Sequence, residues 1–90
     1  MSDFAGTPQF RPGVKFRFDK ARDAWVLLAP EKLFLPDEIA VEVLKRVDGV
    51  RTTDDIVNDL AKAFDAPAEV IAVDVLAMLR DLADKGALSL

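Results

Sequence analysis

Two acidic pairs, Asp54-Asp55 and Asp81/Asp84, come nearest in type and spacing to side chains that could do chemistry. Paired carboxylates can serve as general acid and base or hold a hard cation. Both pairs fall in segments that read as helix, where acids in a first turn answer the helix dipole and acids on an outer face keep the surface solvated. The chain has no histidine, the commonest general base and metal ligand, so no Ser nucleophile has its usual partner. It also has no cysteine, which excludes disulfides, thiolate metal sites and iron–sulfur ligation. The four glycines stand apart at 6, 13, 49 and 86, so no phosphate-cradling loop is present. No catalytic residue, cofactor-binding residue or metal ligand is assigned, and the chain is read as a non-enzyme. What remains is recognition.

The elements that would position a recognition surface are compact. Ninety residues suit one small domain, and 51% hydrophobic with 31% charged residues is a globular composition. No apolar run approaches the roughly 18 residues of a membrane span, and the N-terminus lacks a signal-peptide layout, so a cytoplasmic protein with no membrane partner is expected. Charge is uneven. Residues 1–22 carry a net of +3, while residues 53–90 carry eight acids against three bases.

Residues 1–11 mix Ser, Gly, Thr and Pro with isolated Phe4 and Phe10 and show no period, so they read as a flexible arm or linker ahead of one domain over 12–90. Val14–Asp19 alternates apolar and polar residues, the pattern of a strand with one buried face. Ala24–Ala29 is a second β-prone run, closing an antiparallel hairpin, and Lys32–Leu35 a third short strand stopped by Pro36. Asp37 offers an N-cap to a first helix whose stripe is Ile39, Val43 and Val47 and which Asp48-Gly49 ends. Thr52 or Thr53 caps a second helix running through Phe64, with Ile56, Val57, Leu60 and Phe64 on its core face. A third helix runs from about Ala68 to Lys85 before Gly86. Three strands followed by three helices make an α+β fold: a three-stranded antiparallel sheet and a three-helix bundle.

The third helix carries two stripes. Ile71, Val75, Met78, Leu79 and Leu82 cluster on one face as core, while Val70, Val73 and Ala77 fall among Asp74, Arg80, Asp81 and Asp84 on the other. A helix burying one face has little use for valines opposite it, so something covers this second stripe; the plainer alternatives are a strand of the same chain or scattered surface apolarity. Lys32-Leu33-Phe34-Leu35, if it is a sheet edge, leaves N–H and C=O groups to which an extended peptide can add as an extra strand. The plainer reading of Leu33, Phe34 and Leu35 is core packing, with Leu33 and Leu35 on one face and Phe34 on the other. Together these give a candidate groove of Leu33, Phe34, Leu35, Val70, Val73 and Ala77, rimmed by Asp74, Arg80 and Asp81, with Lys32 placed to attract an acid on the peptide.

Three helices beside a small sheet also describe a winged helix-turn-helix, whose usual work is DNA reading. That work needs a basic recognition helix. Here the second helix sets Asp54, Asp55 and Asp59 against Lys62 and the third is acidic, so nucleic acid is not expected as a partner. A winged-helix DNA-binding or structural interaction domain stands as the alternative function.

Arg11-Pro12-Gly13 before the first strand, Val26-Leu27-Leu28-Ala29-Pro30-Glu31 at the hairpin's end and Val47-Asp48-Gly49 are followed by Thr53–Leu60 (TDDIVNDL). Asp74-Val75 and Leu79-x-x-Leu82-x-x-x-Gly86 complete the set. No single piece is specific, but the ordered set over about residues 11–88 resembles the PqqD family, pyrroloquinoline quinone biosynthesis protein D. The leading arm shows no part of the pattern, as a native tail or the scar of a fusion would. The resemblance implies a winged helix-turn-helix-like fold, the RiPP recognition element. It also implies a peptide chaperone that binds the precursor peptide PqqA along the third strand and third helix. The chaperone would present PqqA to the radical S-adenosylmethionine enzyme PqqE, which joins a Glu and a Tyr side chain by a carbon–carbon bond. The lack of cysteine fits, because cluster and cofactor would belong to that enzyme. Family members that exchange elements between protomers add a homodimer to the implied partners.

Overall fold

The computed structural model describes residues 6–90. Element order is β1 (Gln9–Phe10), β2 (Lys15–Asp19), β3 (Ala24–Ala29), β4 (Lys32–Phe34), α1 (Glu38–Leu44), α2 (Thr53–Ala63), α3 (Ala68–Asp84) and β5 (Leu88–Ser89). β2, β3 and β4 form an antiparallel sheet in that order, and β1 pairs antiparallel with β5 in a separate two-stranded ribbon. The α+β class, the three-stranded antiparallel sheet and the three helices expected from the sequence are all present.

Alternation does the work in the sheet. Phe16 stands opposite Leu27, which in turn faces Phe34, so these three share the face turned to the helices. Leu27 is fully buried there among Val43, Leu44, Val47, Ile56, Val57, Leu60, Val75, Leu79 and Leu82, with Leu88 closing one end. The first two helices start where their cap chemistry says, while α3 begins after Pro67 with no side-chain cap. Asp37 accepts the Ala40 N–H at 2.8 Å, and Thr52 and Asp55 satisfy each other's backbone N–H groups in a capping box. The Asp54-Asp55 pair is therefore spent partly on starting α2. Gly49, at φ +77°, turns the chain between α1 and α2 in the left-handed region that glycine tolerates.

Four expectations need correction. The arm read over residues 1–11 is structured in its described part, and residues 1–5 lie outside the described residues. Gln9–Phe10 pair with Leu88–Ser89, Pro8 is fully buried, and the Gly6 carbonyl accepts from both the backbone N–H and the hydroxyl of Thr53. Two residues carry no readable period, and their partner lies at the far end of the chain. Second, α1 ends at Leu44, well before Gly49, its last carbonyls taken by the turn Lys45–Val47. Third, Ile39 and Phe64, placed on core faces by periodicity, are 59% and 52% exposed. Both sit at a helix end where no second element covers them. Fourth, β4 stops at Phe34, one residue short, because the next bonded position of the ladder is Pro36, which has no N–H to donate.

Candidate functional site

β4 has one neighbour in the sheet, β3, so its other margin is open among the described residues. The geometry of that margin follows from the hairpin. Pro30-Glu31 is a two-residue loop, so Ala29 and Lys32 form its hydrogen-bonded closing pair. Antiparallel pairs alternate between bonded and non-bonded, which makes Leu28 and Leu33 non-bonded. The N–H and C=O of Leu33 therefore point away from β3, toward the open side. Its side chain is 43% exposed on the outer face of the sheet, whereas Phe34 packs on the core opposite Leu27. Leu35, just past the strand, is 65% exposed. Leu33 and Phe34 thus point apart as expected, whereas Leu35, beyond the ladder, lines the same cleft as Phe34 and not the face of Leu33.

The last helix lies beside this margin. Lys32 Nζ donates to the Lys85 carbonyl at 3.5 Å, and a cleft of about 190 Å³ opens between the two elements. Phe34 of β4 and Leu35 just past it line one side, Ala40 and Leu44 of α1 another, and Met78 and Asp81 of α3 with its capping residue Lys85 the third. Asp81 is held by Lys85, its carboxylate accepting from Nζ at 2.8 Å. A second cleft continues along α1 and α3, lined by Ile39, Ala40, Asp74 and Met78, and joins the first through Ala40 and Met78. The cleft is apolar at its floor and acidic at its mouth.

Of the sequence-derived candidates, Phe34, Leu35, Asp74 and Asp81 line these clefts, while Lys32 and Leu33 form the strand margin beside them. Val70, Val73 and Ala77 are exposed but stand on the row of α3 adjoining Asp74 and Asp81, and they line neither cleft. Arg80 is exposed on the far side of that row. The helix is thus turned by roughly one side-chain row, about 60° or more, from the phase that placed the valines in the groove. Met78 and Ala40 line both clefts and stand outside the sequence-derived candidates. Met78 has core spacing and packs half-buried against the core; its flexible thioether is the sequence signal for a second use, since such side chains fill irregular gaps at binding surfaces. Among the described residues no three acids gather as metal ligands, so the acidic rim has no coordinating cluster.

At the opposite end of the sheet an aromatic ladder runs from Phe10 to Phe16 (centroids 6.1 Å) and Trp25 (4.8 Å), then edge-on to Phe18 (5.9 Å). Lys45 Nζ sits 5.2 Å from the centre of the Trp25 ring. On the neighbouring helices Arg46 bonds the carboxylates of Asp59 and Glu42, tying α1 to α2. The Arg46 guanidinium, with Lys45 beside Glu42, holds both carboxylates below their ordinary range.

The family model of coenzyme PQQ synthesis protein D matches residues 24–88, which include β3, β4, all three helices and the first residue of β5. This chain belongs to the PqqD family. A relative, the PqqA binding protein of Bradyrhizobium diazoefficiens, is 48% identical over 85 residues, which are 94% of this chain and 82% of that one. The solution structure of the PqqD truncation of Methylobacterium extorquens PqqCD, described as a functional and stand-alone RiPP recognition element, superposes with a TM-score of 0.78 at 44% identity. It covers 92% of this chain and 88% of that one. The same fold appears in lasso peptide synthetase B1 complexed with the leader peptide, with a TM-score of 0.79 at 15% identity, covering 94% and 100% of the two chains.

Proposed function

We propose that this chain is a cytoplasmic peptide adaptor of PQQ biosynthesis that binds the precursor peptide PqqA and presents it to the radical S-adenosylmethionine enzyme PqqE. The observation that carries this reading is the open margin of β4 beside an apolar cleft on α3. An extended peptide adding to β4 gains backbone hydrogen bonds at Leu33, and its alternate side chains reach the cleft. In this reading Lys32, Leu33, Phe34 and Leu35 form the strand side of the site. Asp74 and Asp81 form the helix side, with Val70, Val73, Ala77 and Arg80 along its outer flank. The winged helix-turn-helix-like description of the fold belongs to the same proposal, since it is the arrangement that sets a sheet edge beside the last helix. PqqA-binding relatives and a fold seen elsewhere with a leader peptide support the peptide as ligand. A second copy of the chain is the competing occupant of the margin, which makes a homodimer the alternative use of the same groups.

No bond is made by this protein in the proposal. Holding the peptide raises its effective concentration at the enzyme and fixes its register, and both favour reaction without new chemistry. The test is titration of synthetic PqqA into the 15N-labelled protein, then calorimetry with and without PqqE. The largest amide shifts are expected in Lys32–Leu35 and Val70–Asp81, and tighter or ternary binding with PqqE. Silent amides in both segments would overturn the site.

A further inference from the structure

An adaptor that holds two partners at once needs a second surface that the first partner leaves free. We infer that the ledge formed by Phe18, Trp25, Ala63 and Phe64 is that surface. It docks the enzyme that receives the peptide, through an apolar or aromatic side chain flanked by Lys or Arg. This inference rests on the adaptor reading and adds to it the place and chemistry of the second contact.

The ledge exists because α1 and the end of α2 flank this part of the sheet without closing over it. Phe18 and Trp25 are opposite one another in register and share the core face with Phe16 and Leu27, but α1 flanks them across a cleft, from Glu38 to Lys45, instead of sealing them. Phe18 is 43% exposed as a result. The end of α2, at Ala63 and Phe64, faces them across an open cleft of about 700 Å³. An adjoining hollow of about 250 Å³, almost wholly apolar, is shared through Ile39 and Phe64. Stacking on Phe16 and the overlying Lys45 fix Trp25 in place, so the floor of the ledge is already ordered before anything binds.

Charge decides what fits. The cleft is edged by Asp23, Glu38 and Glu42 against Lys45. Glu42 is already paired with Arg46 and Lys45, but among the described residues the carboxylates of Asp23 and Glu38 have no ion-pair partner. An apolar anchor with cationic neighbours satisfies both floor and rim, and an acidic segment is repelled. Position agrees. β2 and β4 are the two edges of the sheet, about 10 Å apart across β3, so a strand added at β4 leaves Phe18 uncovered.

The test uses the full chain with Phe18→Thr, which keeps strand preference, and Ala63→Arg, a cation at the end of α2 that the helix dipole tolerates. Binding to PqqE is measured with PqqA present at saturation, and PqqA binding is measured separately. The proposal expects each variant to bind PqqA within about twofold of wild type, yet to bind PqqE roughly tenfold or more weakly, as loss of a central anchor does. Raising salt should slow association of the wild type and change Glu38→Gln less. Variants that hold PqqE as tightly as wild type overturn the ledge while leaving the adaptor reading intact. A wild-type chain that never binds PqqE overturns both. Self-association of the wild type that Phe18→Thr abolishes assigns the ledge to a second copy and overturns the proposal as well. Thermal unfolding of each variant shows that a loss of binding is not a loss of fold.

Discussion

Replacing Leu33 by proline tests the strand-addition geometry at one atom. The N–H of Leu33 points to the open margin, so its removal leaves the β3–β4 ladder whole, and an edge strand is where proline is tolerated. β4 is only three residues long, so the N–H and C=O of Leu33 are the two strand groups it turns outward. At ~1 kcal/mol net per hydrogen bond, they pin an incoming strand by ~2 kcal/mol. Proline deletes the donor, and its ring holds the neighbouring strand off the acceptor. The expected result is about thirtyfold weaker PqqA binding by calorimetry, since ~1.4 kcal/mol is a factor of ten. Stability should fall by less, ~1 kcal/mol, because the side chain is 43% exposed. A folded Leu33→Pro protein that binds PqqA as tightly as wild type would refute strand addition at β4 and leave only side-chain contacts in the cleft.

Other outcomes follow from the same contacts. Leu35→Glu places a charge in the apolar floor between β4 and α3 at a position 65% exposed; it should weaken PqqA binding at least about fivefold with little change in melting temperature. Thr52→Ala breaks the capping box of α2 and should cost ~1 kcal/mol in urea unfolding, with PqqA affinity unchanged. The carboxylates of Asp19, Glu42, Asp48 and Asp59 are all held below their ordinary values, by Arg22, by Arg46 and Lys45, by the backbone N–H groups of Arg51 and Val50, and by Arg46 respectively. Groups with lowered folded-state values stabilise the protein above their unfolded values and lose that contribution as the pH falls through the folded ones. Unfolding free energy should therefore be flat above about pH 5 and decline below about 4.5. A rise in stability on acidification would contradict the ion-pair assignments.

How far the sequence spoke depended on whether the signal was local. The strand at Lys15–Asp19 was legible because alternation and burial share a period, and the helix starts because Asp37 and Thr52 act on N–H groups three residues away. Val75, Leu79 and Leu82 are buried as their spacing requires. The β1–β5 ribbon was not legible, since nothing in Gln9-Phe10 marks Ser89, 80 positions on from Gln9, or Leu88, 78 on from Phe10, as a partner. Nor was the phase of α3: periodicity says that Val73 and Val75 face apart, but the residue meeting β4 depends on how the helix is rolled against α1 and α2. That is why the open margin was foreseen while Met78 took the place expected of the valines.

The β1–β5 ribbon makes the beginning and end of the described chain a single fastening. Gln9 lies opposite Ser89, the Arg11 N–H reaches the Ala87 carbonyl at 3.1 Å, and Gly6 is bound to the first residue of α2. Pulling residues 6–11 loose would therefore strip a strand partner from Leu88, a fully buried core residue, and a donor-satisfying carbonyl from α2 at the same moment. Gly6 and Leu90 therefore stand side by side at one corner of the molecule, and a change that loosens one end of the described chain loosens the other.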